Sequence, residues 1–142
     1  MTSPESQIRD LVNRETRAWD TQDVELLISC FHPAMVWPWP PHARAHDPME
    51  WVMVWGRFDH ERWTRRWQEL FDTHTLVHNK RDIKRIVVSR EGDGGFAVVD
   101  IDTLWRHRET GAEQNWKGRT CKIYTLVGTQ WKMIAQTGVL EY

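Results

Sequence analysis

The spacing of the apolar residues changes near residue 74 of this 142-residue chain. Before that point apolar side chains recur at steps of three and four, as they do along one face of an amphipathic helix. After it they alternate with polar side chains at a period of two, and turn residues separate the alternating segments. The four segments are residues 76–90, 94–109, 116–127 and 130–140. The pattern predicts one α+β domain over residues 1–142, in which three helices pack on one face of a curved, mainly antiparallel sheet and enclose a cone.

Three helix starts can be located from capping residues. Ser3 precedes Pro4, which suits the first helical position, and Asp23 and Asp59 precede the second and third apolar stripes. The second helix is expected to continue until Pro33 ends it, since proline breaks a helix interior. The third stripe, which carries Trp63 and Trp67, is predicted to be a buried helix face.

The balance of charged residues limits the classes of partner that the protein is expected to bind. Lys and Arg number 19 and Asp and Glu number 20, a formal net charge of −1. The basic surplus that attracts nucleic acid or an anionic membrane is missing, which favours a small or neutral partner. No run approaches the roughly 18 to 20 apolar residues of a membrane span, and MTSPESQIRD lacks the features of a signal peptide, so a cytoplasmic location is expected. Cys30 and Cys121 are expected to be reduced thiols.

Neither metal nor cofactor is expected from the motifs. His42 and His46 are four positions apart but lie between prolines in a loop, and His74 and His78 lie near the start of a strand, where that spacing separates them by about 13 Å. The sequence also contains no glycine-rich phosphate loop and no nucleophile elbow. We therefore predict a protein without a metal site or cofactor.

Two segments carry a family resemblance. AWDTQDVELLISCFHPAMVWP looks like the opening, and GTQWKMIAQTGVL like the closing strand, of the nuclear transport factor 2-like superfamily, which includes ketosteroid isomerase, SnoaL-type polyketide cyclases and scytalone dehydratase. The resemblance implies a conical pocket between sheet and helices and, often, a homodimer formed through the open sheet face. Its members range from isomerases to pure binding domains, so the resemblance implies no particular activity.

The candidate acid–base groups lie in the strand segment FAVVDIDTLWR. Asp100 and Asp102 fall on one face of that strand, and two carboxylates on a buried face would repel each other and raise the pKa of one. With Tyr124 they are predicted to form the polar end of an internal pocket. The alternative is that both carboxylates pair with basic residues on neighbouring strands, such as Arg85, Arg119 or Lys122.

The superfamily resemblance adds two further polar candidates. By analogy, the face of the closing strand that carries Gln136 points into the cone, where a glutamine can orient a ligand but cannot transfer a proton. His32 follows the second apolar stripe and is a candidate ligand contact, although a histidine at a helix end is more often a cap. The catalytic constellation of ketosteroid isomerase is absent from this sequence.

The ten tryptophans suggest what the pocket holds. In MVWPWPP, residues 35–41, three prolines would stiffen a short edge strand at the pocket rim and place Trp37 and Trp39 on one side. Together with Trp19 these side chains are candidate contacts for a small hydrophobic or aromatic ligand, flat or polycyclic in shape. Trp63 and Trp67 fit the core equally well.

Two functions remain open from the sequence. One is a cofactor-free isomerase, cyclase or dehydratase that uses a carboxylate as general acid or base, and the other is a non-catalytic ligand-binding or dimerisation domain. Ionisable groups meeting inside the cone would favour the first, and an apolar pocket with both aspartates paired outside it would favour the second. A homodimer is expected because one strand face adds apolar surface that the helices were not expected to cover: Val99, Ile101, Thr103 and Trp105.

Overall fold

The helices precede the sheet, as the sequence predicts. Residues 2–42, 44–45 and 47–137, which the computed structural model describes, form three α-helices, one 3-10 turn and a five-stranded sheet. Helix α1 spans Pro4–Thr21, α2 spans Val24–Ile28 and α3 spans His60–Thr73, and the 3-10 turn is Pro48–Glu50. None of the described helices is long and apolar enough to cross a membrane.

Each helix begins at its predicted cap. The Ser3 hydroxyl accepts a hydrogen bond from the backbone N–H of Ser6, the third residue of α1, at 3.1 Å. The carboxylates of Asp23 and Asp59 do the same for α2 and α3, at 3.1 and 2.8 Å. Because each side chain satisfies an N–H that the helix itself leaves unpaired, the short local sequence is enough to fix the three starting points.

The second helix is shorter than predicted. It ends at Ile28, and strand β1, Phe31–Val36, begins three residues later and includes Pro33. The backbone N–H of Met133 donates to the carbonyl of Cys30 at 2.8 Å, so pairing with the last strand replaces the expected final turn of helix. Pro33 is tolerated there because β1 lies at the edge of the sheet, where a missing N–H costs no ladder bond.

The sheet is a long antiparallel meander with one parallel edge. The strand order is β1-β5-β4-β3-β2, with β1 parallel to β5 and the other pairs antiparallel. Two register irregularities in the second strand are the kind of bulge that bends a sheet. The predicted α+β architecture is confirmed, although the predicted end of the last strand, 138–140, lies outside the described residues. The remaining strands are β2 His74–Val88, β3 Gly94–His107, β4 Glu113–Val127 and β5 Gln130–Gln136.

Strand β3 shows the predicted alternation, but the face that points inward is not the expected one. Its odd-numbered residues from 97 to 105 are buried within the chain. They include the four residues that were expected to supply a dimer surface: Val99, Ile101, Thr103 and Trp105. That expectation is wrong because the helices cover this face, and the opposite face is the one left open, with Phe96 38% exposed.

The core lies between the helices and the inward face of the sheet. Trp63 and Trp67 on α3 are 1% and 7% exposed, which confirms the predicted buried face of that helix. Trp19 on α1 and Trp105 on β3 are also buried in the same cluster. One side of the domain is therefore built almost wholly from indole rings.

Candidate functional site

A cavity of about 290 Å³ opens at the tryptophan-rich side of the domain. Its wall is formed by residues that follow β1, residues that precede α3, α3 itself and the start of β4. We call it the indole pocket, because six of its nine described lining residues are tryptophans. The nine residues are Trp37, Trp39, Val54, Trp55, Trp63, Trp67, Leu70, Gln114 and Trp116.

The chain between β1 and α3 is held in place by backbone hydrogen bonds. The N–H and carbonyl of Trp39 pair with those of Val52 at 2.7 and 2.9 Å, forming an isolated antiparallel bridge. The carbonyl of Trp55 accepts a hydrogen bond from Arg62 Nε at 2.9 Å, which ties the pocket rim to the first turns of α3. The backbone N–H of Phe58 also donates to the carbonyl of Met35 at 2.8 Å, so hydrogen bonds hold the proline-rich segment at Met35 and Trp39.

Most of the indole rings that line the pocket meet edge to face, while Trp37 is tilted at 51° to Trp63 and 43° to Trp67. Trp67 lies 4.5 Å from Trp55 at an interplanar angle of 74°, and 6.3 Å from Trp116 at 73°, measured between ring centroids. Trp39 meets Trp116 at 71° and Trp37 at 63°. These are the arrangements that the quadrupoles of aromatic rings prefer. Neighbouring walls of the pocket therefore meet at corners.

Several indole nitrogens of the pocket are covered by protein. Those of Trp37, Trp67 and Trp116 are buried and have no hydrogen-bond partner among the described residues. Trp63 is almost fully buried, and its nitrogen donates to the carbonyl of Trp55 at 3.4 Å. A neighbouring ring face can accept an N–H weakly, which lowers the cost of leaving such donors without an oxygen partner. These four rings present mainly carbon surface to the cavity.

Trp19 does not line the pocket, contrary to the sequence-based expectation. It is 1% exposed and lies behind two of the pocket walls, 4.9 Å from Trp67 and 5.6 Å from Trp116 between ring centroids. Its Nε1 donates to Glu15 Oε2 at 2.9 Å. Trp19 therefore touches both the indole pocket and a buried group of charged side chains.

That buried group is centred on the carboxylate of Glu15. Lys122 Nζ lies 3.0 and 3.1 Å from the two carboxylate oxygens and donates to Gln136 Oε1 at 2.9 Å. Arg81 NH1 lies 3.8 Å from the carboxylate, and the guanidinium carbon lies 5.8 Å from the centroid of the Trp19 ring. We call these side chains the Glu15 cluster. They join α1 to β2, β4 and β5 inside the core.

Two cations share one anion in the Glu15 cluster, and the pKa directions reflect that imbalance. Burial alone would raise the pKa of Glu15, but the charges of Lys122 and Arg81 and its hydrogen bonds lower it below its ordinary value. The pKa of Lys122 is also lowered, because burial and the nearby Arg81 outweigh the attraction of Glu15. At neutral pH the carboxylate is thus held firmly in its charged form.

Sequence reasoning did not identify this cluster, although two signals were present. Glu15 falls on the apolar stripe of α1, where a charged residue is out of place unless it has a partner. Lys122 alternates with Thr120 and Tyr124 on the buried face of β4. Nothing in the local pattern around either residue indicates that the two are partners.

The predicted internal position of Asp100 and Asp102 is wrong. Both carboxylates lie on the outer face of the sheet, because the other face of β3 is the one that packs on the helices. Asp100 forms two hydrogen bonds with Arg119, at 2.7 and 3.0 Å, and Asp102 pairs with His78 at 2.9 Å. The hydrogen bond from Arg119 lowers the pKa of Asp100, and that with His78 lowers the pKa of Asp102. The alternative of an Arg or Lys partner on a neighbouring strand is correct for Asp100, whereas Asp102 pairs with His78 and the amide of Asn115.

The other predicted site residues are scattered. Tyr124 is buried in the core, and its hydroxyl has no hydrogen-bond partner within the described chain; burial raises its pKa well above the ordinary value. Gln136 is buried as part of the Glu15 cluster. His32 lies on β1, where its Nδ1 accepts a hydrogen bond from the backbone N–H of Ala34. Of the eight candidates, only Trp37 and Trp39 line the indole pocket.

Groups that could bind a metal do not come together in the described residues. No three His, Cys, Asp or Glu side chains are grouped there in a way that would hold an ion. His46, one of the two loop histidines considered above, lies outside the described residues.

Solved structures show which fold this architecture belongs to. The chain matches a ketosteroid isomerase-like protein from Erwinia carotovora atroseptica with a TM-score of 0.70 and 13% identity, over 96% of this chain and 95% of the other. A conserved protein from Planctomyces limnophilus matches with a TM-score of 0.75 and 15% identity, over 95% and 94%. An NTF2-like protein from Cytophaga hutchinsonii matches with a TM-score of 0.66 and 17% identity, over 96% and 97%. The chain therefore has the nuclear transport factor 2-like fold, as its resemblance to that superfamily implied.

Sequence comparison adds nothing to the structural match. No family model matches the chain, and no curated protein matches it. At identities this low the shared fold carries no statement about activity.

Proposed function

We propose that this protein is a ligand-binding domain that holds a small, largely apolar molecule in the indole pocket. The observation that carries the proposal is the composition of the wall: six indole rings, two aliphatic side chains and one amide, with no ionisable side chain among the described lining residues. Such a wall binds by apolar and aromatic contact and offers no group that transfers a proton.

The Glu15 cluster does not supply the missing acid or base. The Glu15 and Lys122 side chains are 3% and 1% exposed, and each is engaged by the other. Neither side chain is in the wall of the indole pocket. With Asp100 and Asp102 paired on the outer face, the arrangement favours a binding domain over an isomerase, cyclase or dehydratase.

Replacing Trp55 by alanine should weaken ligand binding about tenfold or more, because it removes one wall of the pocket. Trp51→Ala is the matched control, since Trp51 is also half-buried in the same segment but donates to the carbonyl of Ala45 and does not line the pocket. Binding is measured by isothermal titration with three kinds of small probe: the neutral phenol 4-ethylphenol, the neutral alcohol 3,3-dimethylbutan-1-ol and the ammonium ion choline. If no probe binds in a way that depends on Trp55, the proposed function is wrong.

We also propose that the chain forms a homodimer through the outer face of the sheet. Phe96 on β3 and Ile123 on β4 are directly paired there and are 38% and 40% exposed. Apolar side chains at adjacent positions on an open sheet face are typical of a surface covered by a partner.

Substituting Ile123→Lys should convert a dimer into a monomer, since it places a charge at the centre of that surface. Met49→Lys is the control, because Met49 is 89% exposed in the segment before α3. Sedimentation velocity at micromolar concentration measures the result. A wild-type chain that sediments as a monomer would remove the dimer proposal.

A further inference from the structure

We infer that the ligand of the indole pocket carries a compact quaternary ammonium group, of the trimethylammonium type. The inference rests on the proposed function and specifies the class of molecule bound. Three features support it: the angles between the pocket walls, the absence of charge from the described wall, and the coverage of the indole nitrogens.

The wall angles suit a rounded group. Trp55 and Trp116 each meet Trp67 at more than 70°, and Trp39 meets Trp116 at 71°. Trp37 is tilted, at 43° to Trp67 and 51° to Trp63, so none of these described pairs is parallel. Rings that join at near-right angles form the corners of a box. A trimethylammonium group fills such corners with methyl groups pointing in several directions, whereas a flat ring system can stack on only one wall at a time when no two walls are parallel.

The electrostatics of the wall favour a cation over an anion. Each indole face carries the negative part of the ring quadrupole and attracts an ammonium ion within about 6 Å of its centroid. Lys and Arg are absent from the described wall, so a bound cation meets no like charge in the wall itself, and a bound anion finds no counter-charge there. The guanidinium of Arg62, at the rim, is hydrogen-bonded to the backbone carbonyls of Trp55 and Arg57. Trp63 and Trp67 are almost fully buried, so the half-buried rings would make most of the contact with a bound cation: Trp37, Trp39, Trp55 and Trp116. These rings can replace part of the hydration that a quaternary ammonium gives up, and that hydration is weak because the group has no N–H.

The polar groups of the wall point to the same class. Four of the six indole nitrogens are covered by protein, so they are not positioned to donate to a carbonyl or carboxylate in the cavity. The amide of Gln114, an exposed residue near the start of β4, is the one polar side chain of the described wall other than the indoles. We place the ammonium group among the rings and a polar tail of the ligand, such as a hydroxyl, towards Gln114.

A comparison of two isosteric probes tests the inference. Choline and 3,3-dimethylbutan-1-ol have the same shape and the same hydroxyl. The branched centre is a positively charged nitrogen in choline and a neutral carbon in the alcohol. Because cation–π contact acts only on the first, isothermal titration should show choline binding about tenfold tighter or more. Trp55→Ala should remove most of that preference, and Trp51→Ala should keep it.

A second measurement guards against a variant that fails to fold. Wild-type protein produced with fluorinated tryptophan keeps its ring shapes but has weaker negative ring faces, so affinity for choline should fall while affinity for 3,3-dimethylbutan-1-ol stays the same. Equal or tighter binding of the neutral alcohol, or binding of 4-ethylphenol alone, would overturn the ammonium assignment and leave the proposed function in place. Failure of every probe to bind would remove both.

Discussion

Glu15→Ala is expected to destabilise the fold by about 3–5 kcal/mol, the usual cost of removing one partner from a buried ion pair. Lys122 and Arg81 would remain in the core with no carboxylate to balance them, and the Trp19 N–H would lose its acceptor. The free energy of unfolding from chemical denaturation measures the effect. Asp10→Ala is the control, because it removes an acid from an exposed position on the same helix.

A double substitution separates the loss of the pair from the loss of side-chain volume. Glu15→Leu with Lys122→Met replaces both charges by apolar groups, and the double variant should be more stable than Glu15→Leu alone, because no ammonium is then left uncompensated beside the leucine. A Glu15→Ala variant that loses less than about 1 kcal/mol would contradict the account of the Glu15 cluster as a tightly coupled buried group.

The same cluster makes an acid-dependent contribution whose sign follows from the lowered pKa of Glu15. The folded chain binds this proton less readily than the unfolded chain does, so the contribution is fully present above the ordinary glutamic acid pKa of 4.5 and is lost as the pH falls through the folded pKa. Between pH 5 and the acid limit, Glu15→Gln should therefore show a shallower decline in unfolding free energy than the wild type. Parallel curves for the two proteins would contradict this assignment.

Trp67→Ala is the second large effect that we expect, at about 3–5 kcal/mol of stability, because it leaves a large cavity in a rigid aromatic cluster. Trp67 is 7% exposed and contacts Trp19 behind it and Trp55 beside it. Chemical denaturation measures the cost, with Gln68→Ala as the neighbouring exposed control on α3.

Trp67→Phe should recover part of the loss, since it restores one aromatic ring of smaller volume. Removing a buried tryptophan usually costs several kcal/mol, because a cavity is left behind. A loss of less than about 1 kcal/mol for Trp67→Ala would contradict the view that the rings support one another.

Much of the fold could be predicted from local signals. The change of period near residue 74 coincides with the boundary between α3 and β2, where Thr73 ends the helix and His74 begins the strand. Helix caps and apolar periodicity depend on a few neighbouring residues, so a short stretch of sequence contains all the information needed to predict these elements. The predicted end of α2 was wrong because a distant strand determines it: the backbone N–H of Met133 on β5 donates to the carbonyl of Cys30.

The candidate site was harder to predict, for a physical reason that β3 illustrates. Alternation fixes which residues share a face but not which face is inward, and both faces of this strand are largely apolar. The helices settle the choice by covering the face with Val99 and Ile101, and Asp100 is then left outside. Trp116 was overlooked as a pocket residue because nothing near it in the sequence relates it to α3.

The partners in the Glu15 cluster are far apart in the sequence, and this separation affects how the chain folds while it is being synthesised. Glu15 and Lys122 are 107 positions apart, so a ribosome must add 107 residues after Glu15 before the ammonium that neutralises this carboxylate has been synthesised. Until then the acid in the apolar stripe of α1 lacks its Lys122 partner, and the sheet that covers this helix is incomplete. Nascent chains of this protein should therefore depend on long-range closure, and α1 should remain accessible to chaperones until β4 has left the ribosome.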